Sequence, residues 1–299
     1  MRVDRVKILL ALTVAFGLTA CGGGSPTSSP PSAAVVTTQP PAPATPERVV
    51  VGTKVDQFGT GYLDVSTYGY SGLDVDIAKY ISDKLFNDKD PYILPVSSNT
   101  RENALADGAI KFFAATYTIL PERQKKFRIA GPYLVTAQGV MLGQHSPNIA
   151  TIDDLRGKRV CVVGSGSNAA NVLKKFVPDA TPVEDPSYSA CLSDLRSGNV
   201  DAFSTDLALL YGYVGNASNA DMRVIKGLKI GNPIYYGVAF GANDWELCQK
   251  AAGVIKDMIS SKQWDGFFNV NLPVYKANFP EYQTQIQPTD KQIDDNSCK

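Results

Sequence analysis

The chain has 299 residues, 44% of them hydrophobic, and its 29 Lys and Arg balance 29 Asp and Glu. That balance gives no reason to expect a nucleic-acid surface, and a single histidine, with no Cys-x-x-Cys, leaves too few ligands for a zinc site. The length allows one large domain or two medium ones.

The N-terminus reads as an export signal. Arg2, Arg5 and Lys7 precede an apolar stretch from Ile8 to Leu18, which is shorter than the roughly 20 residues a membrane span needs. Leu18-Thr19-Ala20-Cys21 resembles a bacterial lipobox, which implies cleavage before Cys21 and acylation of its thiol. Residues 1–20 are therefore expected to be a lipoprotein signal peptide. An ordinary signal peptide with a chance cysteine is the alternative.

Residues 21–47 hold prolines at 26, 30, 31, 40, 41, 43 and 46 among Ser, Thr, Ala and Gly. Such a segment has too little apolar surface to offset its ordering entropy, and it reads as a tether. The folded part starts near Arg48.

Arg48 to Thr53 reads as a strand. In Gly72 to Phe86, Ile77, Ile81 and Leu85 recur on one helical face, with Asp74 as the expected cap. Pro91 to Ser97 is a strand, Thr100 to Gly108 a short helix and Phe112 to Thr116 a buried strand. The pattern restarts with a strand at Arg159 to Val163, the small-residue turn Gly164 to Ser167, and helices over 168–176 and 189–197. A strand over 200–204 and helices over 207–213, 245–260 and 263–269 complete it. Strands alternating with helices imply a parallel α/β sheet, and two such units suggest two lobes. His145 reads as a linker residue.

Six segments in order carry a resemblance. They are Tyr70 to Ala78 (YSGLDVDIA), Ala114 to Arg123 (AATYTILPER), Gly131-Pro132-Tyr133, Ile152 to Val160, Val200 to Asp206 and Tyr236 to Phe240. Together they resemble the polar amino-acid binders among bacterial ABC-transporter solute-binding proteins, family 3, over roughly Arg48 to Phe268. The resemblance implies the two-lobed, type II periplasmic-binding-protein fold with a hinge and an interlobe cleft. Residues 48–135 plus 238–299 would form lobe 1 and residues 136–237 lobe 2. Leu120, Lys111 and Arg128-Ile129-Ala130 depart from the family pattern.

A free amino acid carries a carboxylate and an ammonium, so its site needs a guanidinium, a carboxylate and hydroxyl or amide donors. By resemblance Arg123 holds the α-carboxylate and Asp206 the α-ammonium. Thr116, Thr118 and Ser167 add hydroxyl or backbone groups, and Arg101 meets an acidic side chain. Phe58 and Tyr70 would pack on the ligand's aliphatic part. Each residue has a plainer reading: a surface arginine, a helix cap, a tight turn, or core packing. Lys54 offers a further charge that no motif places.

The resemblance implies an extracytoplasmic, membrane-anchored monomer that hands a polar amino acid, glutamate or aspartate before glutamine or asparagine, to an importer permease. No cofactor, metal or nucleic acid is expected. An amino-acid sensor for a signalling kinase and a dehydratase acting on cyclohexadienyl amino-acid precursors are the alternatives. The four cysteines beyond Cys21 allow three pairings. The lobe assignment favours Cys161 with Cys191 and Cys248 with Cys298, because neither pair would cross the hinge.

Overall fold

The computed structural model describes residues 48–299. The leader, Cys21 and the Pro-rich tether lie outside the described residues. Among the described residues no helix is long and apolar enough to cross a membrane.

Strand β1 (Val50–Thr53) is followed by a hairpin-like sheet of β2 (Asp56–Gln57), β3 (Gly61–Asp64) and β4 (Gly69–Ser71). Helix α1 (Leu73–Phe86) comes next. It buries Leu73, Ile77 and Ile81 on one face, and Asn87 closes it in the left-handed conformation. Gly72, not Asp74, occupies the N-cap, and no side chain caps the helix. The Asp74 carboxylate turns inward instead.

Then follow β5 (Tyr92–Pro95), α2 (Arg101–Ala106), β6 (Phe112–Thr118), the short α3 (Pro121–Gln124) and the long β7 (Arg128–Leu142). Beyond β7, His145 lies on an exposed turn against Gly198. The second unit holds β8 (Arg159–Val163), α4 (Ala169–Phe176), β9 (Thr181–Asp185), α5 (Tyr188–Ser197), β10 (Ala202–Asp206) and α6 (Leu207–Val214). The short β11 (Arg223–Val224) and the long β12 (Ile230–Phe240) lead back. Helices α7 (Trp245–Ser260), α8 (Gln263–Asn271), α9 (Pro273–Asn278), α10 (Tyr282–Ile286) and α11 (Asp290–Asn296) end the chain.

The main sheet runs β5-β1-β6-β12-β7-β10-β8-β9, with β11 on β7. It is mixed, not parallel throughout. β12 is antiparallel to both β6 and β7, and β7 is antiparallel to β10. These two long strands carry the chain between the two lobes of a type II binding-protein fold. Val135 pairs with Tyr235 and Leu134 with Tyr236, so the two crossings lie side by side.

The strand expected at 200–204 sits two residues later. Asp201 is engaged by Arg159, at 2.8 Å between guanidinium and carboxylate, so regular pairing begins after it. The small sheet β2–β4 carried no period-2 pattern long enough to be read.

Cys161 bonds Cys191 and Cys248 bonds Cys298, with Cα separations of 5.6 and 5.9 Å. Each bridge stays within one run of the chain on one side of the crossings.

Candidate functional site

The crevice lies where β6, β10 and the β8–α4 turn meet, beyond the carboxyl ends of parallel strands. A small enclosed cavity there is lined by Arg101, Thr116, Thr118, Ser167 and Asp206. Gln138, Asn168, Ala169, Tyr188 and Ile234 complete the wall. Only about 10 Å³ of open space remains, roughly one water.

Arg101 starts α2 and is 2% exposed. Its Nη1 donates to the Ala115 carbonyl, its Nη2 donates to the Gly166 carbonyl at 2.8 Å, and its buried Nε has no partner. Arg123, 7% exposed, donates to Thr118 O at 3.0 Å and to the same Gly166 O at 2.8 Å. Both guanidiniums lie over the Tyr117 ring, 4.6 and 4.2 Å from its centroid. Burial, then the neighbouring Arg123 charge, pushes the Arg101 pKa down to about 10, so it stays protonated at neutral pH.

Asp206 ends β10 and starts α6 as its N-cap residue, but its side chain makes no capping bond. It accepts from the Tyr236 hydroxyl on β12 instead. Desolvation raises its pKa to about 6, against the pull of that hydroxyl and of both arginines. An ammonium brought against it would restore its ionised form.

Thr116 has φ of 48°, a left-handed backbone in a β-branched residue. Its hydroxyl meets the Gln57 side chain at 3.1 Å. Ser167 follows Gly166, whose φ of 77° makes the turn into α4, and its Oγ accepts from Ala169 N at 3.3 Å.

Lys54, 1% exposed, donates to Ser98 Oγ at 2.7 Å and sits 5.2 Å from the Tyr188 ring centroid. Desolvation and the Arg101 charge hold its pKa well below the usual lysine range. Two buried guanidiniums and the buried Lys54 amine thus gather near one cavity, and Asp206 faces that cavity as the carboxylate.

The structure therefore brings together Arg101, Arg123, Thr116, Thr118, Ser167 and Asp206. It does not bring in Tyr70, which lines a separate depression beside Tyr68 and Tyr92, or Phe58, which meets Tyr62 edge to face in another. Both lie on the β2–β4 sheet or its loops, so neither aromatic ring reaches the cavity wall. Sequence reasoning missed Gln138 and Tyr188. Gln138 is wholly buried, and its Oε1 has no partner. A polar residue inside the apolar run of β7 was the available signal.

Among the described residues one group has metal-ligating types in close reach: Cys161, Asp185 and Cys191. Its two sulfurs are joined in the disulfide, which removes them as thiolate ligands.

The family model described as bacterial extracellular solute-binding proteins, family 3, matches residues 49–270. The chain is 33% identical to the glutamate-binding protein GluB of Corynebacterium glutamicum over 75% of this chain and 78% of that one. It is 29% identical to the glutamine-binding protein GlnH of Bacillus subtilis over 74% and 80%. Among solved structures, an ancestral arginine-binding protein bound to arginine superposes with a TM-score of 0.65 at 28% identity, covering 74% of this chain and 96% of that one. The solute receptor for L-cysteine of Neisseria gonorrhoeae gives 0.72 at 23% identity, covering 81% and 96%, a likeness of fold.

Proposed function

The chain belongs to the bacterial extracellular solute-binding proteins of family 3, and from that premise we propose that it captures glutamate or aspartate outside the cytoplasm for an ABC importer. The observation that carries the choice of ligand is the charge inventory of the cavity. Arg101 and Asp206 line it, and the buried Arg123 and Lys54 stand behind its wall, Arg123 on the Gly166 carbonyl and Lys54 beside Tyr188. A zwitterion with one extra carboxylate matches that set. An amide side chain offers a neutral acceptor and an NH₂ donor that faces cations. The relatives named for glutamate and glutamine binding support the amino-acid class.

In this reading Arg123 and Ser167 receive the α-carboxylate, Asp206 the α-ammonium and Arg101 the side-chain carboxylate. Thr116 and Thr118 supply hydroxyl and backbone groups. The Gly166 carbonyl, which both arginines now share, gives way to the ligand. The lobes, residues 48–135 plus 238–299 and residues 136–237, part at the two crossings to admit it and close over it. The protein acts as a monomer, and its lobes, once closed, are what the permease recognises. The lipobox-like sequence ending in Cys21 supports a lipid anchor at the cell membrane, with residues 21–47 as the tether.

The test is calorimetric titration of glutamate, aspartate, glutamine and asparagine into wild type and Arg101→Ala at fixed ionic strength. Wild type prefers the acidic pair, and the substitution erodes the acidic ligands by about 1.4 kcal/mol or more relative to the amides. An unchanged glutamate-to-glutamine ratio removes Arg101 from the specificity role.

A further inference from the structure

We propose that Asp74 is a positioning residue for the ligand site, holding the end of β6 in the shape that binding requires. The inference rests on the amino-acid-binding reading and concerns a residue that does not itself line the cavity but bonds the backbone of Thr116, which does.

Asp74 is the second residue of α1 and is fully buried. Its two carboxylate oxygens are divided between two other elements. Oδ2 accepts from the Thr116 backbone N–H at 2.8 Å, and Oδ1 accepts from the Tyr133 hydroxyl on β7 at 2.7 Å. Its own N–H is tied to Thr60 O at 2.8 Å, so the helix start cannot drift. The approach is tight, since a Cβ on the preceding Gly72 would lie 2.2 Å from that same Thr60 oxygen.

Thr116 is the residue with a reason to be held. At φ of 48° it sits in a conformation that disfavours a side chain branched at Cβ by about a factor of ten in population. Such strain persists only where surrounding bonds fix it, and it concentrates at ligand sites. The left-handed turn takes the Thr116 N–H out of ordinary strand pairing and aims it at Asp74. It also leaves the Ala115 and Thr116 carbonyls toward Arg101, one accepting from its Nη1 and the other 3.5 Å from it. A buried acceptor at Asp74 therefore sets the backbone that sets Arg101. The same carboxyl reaches Tyr133, two residues before the Val135 crossing, so the ligand corner and the crossing strand share one fixed point.

The role needs an acceptor for the Thr116 N–H, not a charge. The experiment compares the full chain as wild type, Asp74→Asn and Asp74→Leu, each with and without Thr116→Gly, by titration with glutamate and with glutamine. Asp74→Asn keeps a carbonyl acceptor and binds within about threefold of wild type. Asp74→Leu fills similar space without an acceptor and loses at least about tenfold for both ligands alike. In the Thr116→Gly background, where the left-handed backbone carries no side-chain penalty, the Asp74→Leu loss shrinks to about threefold or less. Full affinity in Asp74→Leu, or an equal loss in both backgrounds, overturns the proposal. Should Asp74→Leu fail to fold, the unmodified protein decides. A through-hydrogen-bond scalar coupling between the Thr116 amide nitrogen and the Asp74 carboxyl carbon is expected in the glutamate-loaded form, and its absence overturns the proposal. Failure of wild type to bind any amino acid would strike the binding reading itself, a separate outcome read before any variant is scored.

Discussion

Gly166 stands so close to Ser98 that a Cβ on the glycine would lie 1.9 Å from the Ser98 carbonyl oxygen. Ser98 precedes α2 in one lobe, and Gly166 turns into α4 in the other. Their contact joins the two halves beside the cavity, where the Gly166 carbonyl lies 2.8 Å from both arginines. A glycine is required there twice over, by the approach and by its φ of 77°.

Gly166→Ala should therefore block full closure. The expected result is at least about a hundredfold loss of affinity for every amino-acid ligand, with a smaller radius change on ligand addition in small-angle scattering. Thermal stability of the ligand-free protein falls by only about 1–2 kcal/mol, the cost of a left-handed alanine. Wild-type affinity in the variant would show that the lobes do not need this contact.

Asp206 gives a pH dependence with two opposite signs. Its pKa is raised to about 6 from the ordinary 3.8, and that of Asp74 likewise, both by desolvation. Between those values the folded state binds more protons than the unfolded one. The ligand-free protein thus loses stability from these two groups as pH rises from about 4 to 6. The ligand ammonium needs the ionised Asp206, so affinity does the reverse and falls as pH drops below about 6, approaching tenfold per unit. Titration calorimetry beside denaturant melts at pH 5, 6 and 7.5 checks both, and affinity that is level from pH 5 to 7.5 contradicts the role of Asp206.

Lys54→Met removes a cation whose burial is already unfavourable. Stability at pH 7 should hold or rise. Glutamate affinity should drop by about 1 kcal/mol relative to glutamine, because one of three nearby positive charges is gone. Competition binding reads the ratio, and a ratio equal to wild type would make Lys54 a structural residue supporting Ser98 and Tyr188.

The bridge between Cys248 and Cys298 spans 50 residues and ties the segment after α11 to α7, while Cys298 N donates to Ile129 O on β7 at 2.8 Å. Cys248→Ser with Cys298→Ser should cost about 4 kcal/mol on the loop-entropy argument. Ligand affinity at low temperature should persist, since the bridge touches no cavity residue. A variant as stable as wild type would count against that cost.

Cys21→Ser tests the anchor. The substituted protein should appear in the soluble fraction while wild type stays with membranes through a high-salt wash. Retention of both in the pellet would point to a different attachment.

The sequence by itself determined the α/β class, the helical face of Ile77, Ile81 and Leu85, of which Leu85 is only half-buried, and the identity of Arg101, Arg123, Thr116, Thr118, Ser167 and Asp206 as one candidate set. Periodicity and motif order are local properties, and local patterns carry them. It also favoured both disulfide pairs, because the lobes limit which cysteines can meet. Only the tertiary structure decided that Asp74 faces inward and leaves the helix uncapped, that Gln138 and Tyr188 wall the cavity, and that Phe58 and Tyr70 do not. The antiparallel course of β7 and β12 was equally hidden. Residues in these groups lie far along the chain from their partners: Asp74 is 42 positions from Thr116, and Tyr188 is 132 from Asp56. A contact at such separation depends on how whole elements pack, and no spacing along the chain records it.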